Sequence, residues 1–325
     1  MLQVDKAGRN EENRRIVKIL IADKIDAKCS ELLRANFDVD EKEGLSPDEL
    51  AKVVPAYDAL LVRGKTKVSA KVISAGAKEN GGKLKAIGRA GIGVDTIDVA
   101  AARSAGILVF NAPGASTLSV AEHAIGLLFA LAKHIVPGTL GIRGGEWPKD
   151  AWKPRELAGK MLGIVGFGRI GRKTAELGSA LGMGTVAHDP FVTGTETVEK
   201  VLESSDAISI HLPLTSDTKN LLNAEKLALM KASAYLINTS RGEVVDLNAL
   251  LGALEEEKLA GAGLDVFPEE PPPKEAAERM AKIPTLIATP HIAGSAVEAQ
   301  ARIAVEIAET MTGYLLRGEE RNIVT

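Results

Sequence analysis

The stretch Met161-Leu162-Gly163-Ile164-Val165-Gly166-Phe167-Gly168-Arg169-Ile170-Gly171 decides how this chain folds. An apolar run passes directly into the pattern G-x-G-x-x-G, and Ile170–Leu181 continues with helical spacing. A glycine pattern alone is weak evidence, because it can be a turn and nothing more. A strand before it and a helix after it make it a nucleotide loop. Gly166 permits the tight turn, Gly168 lets the backbone approach a pyrophosphate, and Gly171 lets helix and strand pack closely. Amide donors at the helix N-terminus then face the anion. Asp189 stands eighteen residues beyond Gly171, at the end of the next apolar run. A carboxylate there accepts ribose hydroxyls and repels a 2′-phosphate, which selects NAD over NADP.

The same rhythm extends outward on both sides. Short apolar runs at Met161–Val165, Thr185–Ala187, Ala207–Ile210, Ala234–Ile237, Ala260–Leu264 and Thr285–Ala288 each end in a residue with chemistry to offer. Those residues are Gly166, Asp189, His211, Asn238 to Arg241, Asp265 and His291. As parallel strands, the runs bring all six endings to one carboxyl edge, where open α/β sheets bind ligands. In the first half, strands are expected at Ile16–Ala22, Ala59–Val62, Leu84–Gly88 and Ile107–Phe110, with helices at Asp26–Ala35, Ala70–Ala77 and Ile97–Ala105 between them. This alternation implies βαβ units and parallel sheets.

Asn111-Ala112-Pro113-Gly114 breaks the pattern and marks a domain junction. A helix follows, with Ser119-Val120-Ala121-Glu122 matching a capping box. Its body, Ala124–Ala132, is apolar on every side, as suits a helix buried between domains or against a partner subunit. A last amphipathic helix, Ala296–Leu316, repeats Ile303, Ile307, Met311 and Leu315 at intervals of four and is expected to return to the first domain. The expected division is a discontinuous substrate domain, 1–112 with 295–325, and a cofactor domain, 113–294.

Composition excludes several functions. The 325 residues suit two domains, and 26% charged with 45% hydrophobic residues is the balance of a soluble globular chain. A net charge of −3 gives no basic footprint for nucleic acid. Cys29 is the single cysteine, so a disulfide framework and a cysteine zinc site are both excluded, and a reducing cytoplasm is the natural reading. Residues 1–15 are polar and read as a loosely attached extension without a signal-peptide core. Ala124–Ala132 is too short to span a bilayer. No metal site is expected.

Three segments carry the chemistry. Arg241, in Asn238-Thr239-Ser240-Arg241-Gly242, has the planar fork that grips a carboxylate in two places, although an arginine alone is more often paired with a surface acid. Glu269 and Glu270 lie in a proline-stiffened acidic loop, Asp265–Pro271, whose plainer reading is a solvated turn. His291 follows Thr289-Pro290, and a lone histidine is more often structural. Their joint occurrence changes the balance. Oxidising an alcohol to a ketone needs a base for the hydroxyl proton, an acceptor for the hydride and a cation to orient the substrate. His123 and His134 read as structural, His188 precedes the ribose acid, and His211 lines the adenosine site.

With these segments in view, the chain resembles the D-isomer-specific 2-hydroxyacid dehydrogenase family over nearly everything from Ile16 to Val324. The resemblance rests on Arg89-Ala90-Gly91-Ile92-Gly93-Val94-Asp95, on the glycine loop, and on His211-Leu212-Pro213-Leu214-Thr215. It rests equally on 238–242, 265–271 and 289–294. It implies that Arg241 binds the substrate carboxylate and carbonyl, that His291 is the acid/base, and that Glu270, directly before Pro271, pairs with His291. The implied NAD contacts are Gly166, Gly168, Arg169, Ile170, Gly171, Asp189, His211, Leu212, Pro213, Thr239, Ser240, Arg241, Asp265, His291, Ala293 and Gly294. The implied substrate contacts are Arg63, Gly64, Arg89, Gly91, Ile92, Arg241 and His291, with Lys65, Lys67 and Lys149 adding positive charge for a phosphate.

The fold implied is two doubly wound parallel-sheet domains, a Rossmann-type NAD domain and a flavodoxin-like substrate domain completed by the C-terminal helix. A homodimer through the NAD domain is implied too, with the long helix and the tryptophan loop (Trp147, Trp152) reaching across. The expected reaction is oxidation of D-3-phosphoglycerate to 3-phosphohydroxypyruvate, an entry to serine synthesis. The alternatives are reduction of glyoxylate or hydroxypyruvate, oxidation of D-lactate, or an NAD(H)-sensing corepressor that barely uses its chemistry. With the sequence ending at Thr325, serine feedback through a further domain is not expected.

Overall fold

The computed structural model describes residues 16–147 and 149–324. The expected extension at 1–15 lies outside the described residues. The chain divides into two compact units, one running to Ser116 and resuming at Val297, the other spanning Thr117–Ala296.

The first unit contains β1 (Lys18–Ile21), α1 (Ala27–Arg34), β2 (Asp38–Glu41), α2 (Pro47–Val53), β3 (Ala59–Val62), α3 (Ala70–Gly76), β4 (Ala86–Arg89), α4 (Val99–Ser104) and β5 (Leu108–Phe110). Its five strands are all parallel, in the order β2-β1-β3-β4-β5. The chain moves outward from β1 to β2 and then crosses to β3, so the order reverses between β1 and β3. Such a reversal opens a crevice at the carboxyl ends of the two strands. β2 is the strand that apolar patterning misses. Its sequence Asp38-Val39-Asp40-Glu41 buries Val39 alone, as an edge strand with a charged face can. α2 begins with a complete capping box, the Ser46 hydroxyl accepting from Glu49 N–H and the Glu49 carboxylate accepting from Ser46 N–H.

The second unit contains α5 (Thr117–Ala132), α6 (Ile135–Arg143), β6 (Met161–Val165), α7 (Arg169–Ala180), β7 (Gly184–His188), α8 (Val198–Ser204), β8 (Ala207–Ile210), α9 (Ala224–Leu227), β9 (Tyr235–Asn238), α10 (Leu247–Glu255), β10 (Gly261–Leu264), α11 (Lys274–Met280) and β11 (Leu286–Ala288). Its six parallel strands run β11-β10-β9-β8-β6-β7, with the reversal between β6 and β8. Strands β8, β9 and β10 are buried along their whole length, as parallel strands covered on both faces must be.

The expected capping box at Ser119–Glu122 does not form. α5 begins two residues earlier, at Thr117, which places Ser119 inside the helix. The Ser119 hydroxyl donates instead to the Ala293 carbonyl at 2.6 Å. The apolar body of α5 packs within its own unit, where Ala124, Leu127, Leu128 and Leu131 join Ile164, Ile237 and Ile287 of the sheet in one core.

The final helix, α12 (Val297–Arg317), belongs to the first unit. Ile303, Ala304, Ile307, Ala308 and Met311 are buried against Ile19, Leu61, Ala86 and Phe110. Burying each of the three larger side chains contributes about 2 kcal/mol, enough to hold the returning helix. Gly88 accommodates it, since a Cβ there would stand 3.0 Å from the Met311 sulfur. Among the described residues, no single helix is long and apolar enough to cross a membrane.

Candidate active site

The glycine loop leaves β6 with the geometry a dinucleotide needs. Gly166 has φ of +98°, and a Cβ there would lie 2.6 Å from the His211 carbonyl oxygen, so the position admits glycine alone. A Cβ on Gly171 would lie 2.0 Å from the Gly166 carbonyl oxygen, which accounts for the third glycine. At Gly168 a Cβ would meet nothing within 4 Å. The space above the loop is therefore open, and no side chain caps the start of α7 at Gly168. Uncapped amides facing open space suit a pyrophosphate. The Asp189 carboxylate accepts from Phe167 N–H at 2.9 Å and from Phe191 N–H at 3.0 Å. Each oxygen keeps a lone pair for ribose hydroxyls.

Past β8, the His211 ring bonds to Ser209 Oγ through Nε2 at 2.9 Å, while its buried Nδ1 has no partner. Burial pushes the imidazole down to about 3, so His211 is neutral near pH 7 and is no proton carrier there.

The turn after β9 is built on Asn238. Its side-chain oxygen accepts from Ser240 N–H at 3.0 Å and Ser240 O–H at 2.9 Å, and its amide donates to the Arg241 carbonyl at 2.8 Å. Arg241 therefore leaves the sheet edge from a fixed backbone. The Arg241 guanidinium donates to the Ser240 carbonyl at 2.7 Å. Gly242 lets the following loop cross closely, for a Cβ there would lie 1.9 Å from the Phe267 carbonyl carbon.

That loop carries the acid. Glu270 Oε1 accepts from Phe267 N–H at 3.1 Å, and Oε2 lies 2.7 Å from His291 Nδ1. No such contact forms from Glu269. Of the two adjacent glutamates, Glu270 is the one in contact with His291. His291 and Glu270 side chains are 51% and 38% exposed, so the pair is open to a ligand.

His291 itself sits in the left-handed region, with φ of +54°. For an L-residue this costs about 1 kcal/mol and persists only where the surroundings enforce it. Asp265, fully buried after β10, does so. Its carbonyl accepts from His291 N–H at 2.8 Å, Oδ1 from Ile292 N–H at 2.9 Å, and Oδ2 from Ala293 N–H at 2.8 Å. Asp265 was expected as a cofactor contact, yet its carboxylate is committed largely to this turn. Ser119 and His123, one helical turn apart on α5, touch the same segment, and composition and motif reading missed that role. Their spacing of four was the available signal.

The second-unit residues gathered at one sheet edge are Gly166 to Gly171, Asp189, His211 to Pro213, Thr239 to Arg241, Asp265, Glu270 and His291 to Gly294. Arg63, Gly64, Arg89, Gly91 and Ile92 belong to the first unit. There, Asp23 after β1 accepts from Arg63 N–H at 2.6 Å and from Thr66 N–H at 3.1 Å. The loop after β3 is thereby pinned at the reversal point of that sheet.

Comparison with known proteins agrees with this geometry. Residues 125–293 match the model of the D-isomer specific 2-hydroxyacid dehydrogenase, NAD binding domain. A D-3-phosphoglycerate dehydrogenase of Synechocystis sp. is 39% identical over 318 residues, covering 95% of this chain and 56% of that protein. The chain therefore spans little more than half of that relative's length. A hydroxypyruvate reductase of Thermotoga maritima is 41% identical over 299 residues, covering 90% of this chain and 96% of that one. The crystal structure of a cofactor (NAD+) bound 3-phosphoglycerate dehydrogenase of Entamoeba histolytica superposes with a TM-score of 0.81 at 26% identity, covering 96% of this chain and 99% of that chain.

Proposed function

The chain belongs to the D-isomer-specific 2-hydroxyacid dehydrogenase family, and from that premise we propose that it interconverts D-3-phosphoglycerate and 3-phosphohydroxypyruvate with NAD. One observation carries the chemistry: the 2.7 Å contact between His291 Nδ1 and Glu270 Oε2. A carboxylate accepts only, so Nδ1 carries the proton of that bond. Nε2 of the neutral ring then presents a lone pair to the ligand side. Glu270 fixes the tautomer and the ring plane, and in turn is fixed by Phe267 N–H.

In the oxidative direction, His291 Nε2 accepts the hydroxyl proton as the C–O bond gains double-bond character. Arg241 holds the substrate carboxylate and polarises the forming carbonyl oxygen. NAD, when bound, supplies the acceptor for the hydride leaving C2. The residues that would hold it are the glycine loop, with Arg169 and Ile170, and Asp189, the 211–213 turn, Thr239 to Arg241, Asp265, His291, Ala293 and Gly294. In the reverse direction the imidazolium returns the proton to the carbonyl oxygen. Arg63, Gly64, Arg89, Gly91 and Ile92 are assigned to substrate, with Arg63 and Lys65 addressing the phosphate.

A second reading, reduction of hydroxypyruvate, is favoured by the relative of similar length, which is named for that activity. A panel of 3-phosphohydroxypyruvate, hydroxypyruvate, glyoxylate and pyruvate, each with NADH and NADPH, separates the two. We expect 3-phosphohydroxypyruvate with NADH to give the highest kcat/KM and Arg63→Ala to lower it selectively. Equal turnover of the unphosphorylated compounds refutes the phosphate assignment.

A homodimer through the second unit is part of the proposal. α6 has no buried residue, and Ile135, Leu140 and Ile142 on it are 52%, 61% and 52% exposed. Trp147 beyond it is 80% exposed, a run of apolar surface that a second copy would cover. Sedimentation at a mass near twice 34.2 kDa is the expected result. We place the protein in a reducing cytoplasm, which suits its single, buried Cys29.

A further inference from the structure

We propose that His123, on α5, is a positioning residue for the reaction, holding the His291 turn in place through Thr289 and Asp265. The inference rests on the reading of His291 as the proton carrier.

The hydrogen-bond directions follow from counting protons. Thr289 Oγ1 lies 2.5 Å from Asp265 Oδ1 and 3.0 Å from His123 Nε2. A threonine hydroxyl has one proton to give. Asp265 accepts main-chain N–H on both carboxylate oxygens, as a carboxylate does, so the threonine proton goes to Asp265. Thr289 Oγ1 is then an acceptor toward His123, and Nε2 must be the donor. The same Nε2 lies 3.5 Å from Asp265 Oδ1. The chain of donation runs from His123 to Thr289 to Asp265.

Asp265 is where this chain meets the His291 turn. Its carbonyl and its two carboxylate oxygens accept the N–H groups of His291, Ile292 and Ala293 in succession. Three consecutive amides converging on one residue keep His291 at its positive φ. The carboxylate must hold its rotamer for this, and the Thr289 hydroxyl, oriented by His123, is the side-chain contact that holds it. One turn earlier on α5, Ser119 fastens the same segment by donating to the Ala293 carbonyl. Without the His123 donor, Thr289 Oγ1 keeps its bond to Asp265 but loses the partner that fixes the oxygen from the α5 side, and the clamp loosens. The His291 imidazole, whose reach to the substrate is set by that backbone, is then misplaced.

Two substitutions decide the matter. His123→Phe keeps the ring volume and removes the donor, while His123→Gln restores an N–H at a similar reach. With 3-phosphohydroxypyruvate and NADH, kcat is expected to fall at least tenfold in His123→Phe and to return to within threefold in His123→Gln. The Kd for NADH should stay within twofold throughout. Amide hydrogen exchange at Ile292 and Ala293 is expected to speed up tenfold in His123→Phe and to recover in His123→Gln. Wild-type kcat in His123→Phe, no recovery in His123→Gln, or a loss of NADH affinity as large as the loss of kcat overturns the proposal. If the wild-type protein turns over no 2-oxo acid, the reading of His291 fails on its own account. Unchanged exchange at Ile292 and Ala293 would then still overturn the clamp.

Discussion

Both units use one device at the carboxyl edge of their sheets, a buried aspartate that clamps a loop on the next strand, yet the two loops carry different chemistry. In the first unit Asp23, 6% exposed, takes the amides of Arg63 and Thr66 and so fixes the backbone beneath a cation. In the second, Asp265, completely buried, takes the amides around His291 and so fixes the backbone beneath an imidazole. In both cases a carboxylate offering up to four acceptor sites replaces the hydrogen bonds that loop amides lose at a strand end. In both units the clamp acts on the backbone of the loop. What it transmits depends on what the loop presents.

The comparison is sharpest when each loop loses its functional side chain. His291→Asn is expected to cut kcat by about 1,000-fold, within the range for general acid–base catalysis, with a far smaller effect on NADH binding. Arg63→Ala is expected to raise KM for the phosphorylated substrate by about tenfold or more, the worth of one charged hydrogen bond, with kcat little changed. Steady-state kinetics and NADH fluorescence titration read both. A kcat loss in Arg63→Ala equal to that in His291→Asn would erase the distinction between the units.

Substituting the clamps gives smaller effects that should divide along the same line. Asn has one accepting oxygen, so Asp265→Asn and Asp23→Asn each turn an amide group against a main-chain N–H. Each is expected to cost about 1–3 kcal/mol of stability by urea unfolding. Asp265→Asn should lower kcat by about 100-fold. Asp23→Asn should raise the KM for the phosphorylated substrate by about tenfold, its kcat holding. Kinetic profiles that coincide would mean the clamps are general supports of the fold.

The remaining contrast is in acid. All five histidines lie between positions 123 and 291, within the second unit. His211 has a folded pKa of about 3, below its ordinary 6.5, so the unfolded chain binds its proton first. Stability from this group is therefore complete above pH 6.5 and declines as the pH falls toward 3, by about 1.4 kcal/mol per unit. Hydrogen exchange is expected to show the second unit loosening first on acidification. His211→Asn should flatten the slope of unfolding free energy against pH, and an unchanged slope would remove His211 as its cause.

Much of this architecture is legible without coordinates. The apolar runs in the second half found all six strands of that sheet to within a residue or two, and the central strands β8, β9 and β10 show why, since parallel strands covered on both faces must be apolar throughout. Glycines 166, 168 and 171 announced the loop because no other residue fits the close approaches at Gly166 and Gly171. β2 escaped because an edge strand can be mostly acidic. The Ser119–Glu122 capping box was a false signal, since the same residue types that cap a helix also serve as donors inside one. Ser119 found a partner at Ala293, 174 positions away.

The sequence by itself determined the two-sheet plan and the nucleotide loop, and it offered the residue types that a proton carrier, its acid and a carboxylate-binding cation require. These are matters of local pattern and intrinsic chemistry, which neighbouring residues set. Tertiary structure alone decided that Glu270 rather than Glu269 meets His291, that His211 is held neutral, and that Asp265 serves the turn around His291. Those outcomes depend on which groups, far apart in the chain, share the last ångström and exclude water. A hydrogen bond or a desolvated ring is a property of that meeting, and no stretch of sequence contains it.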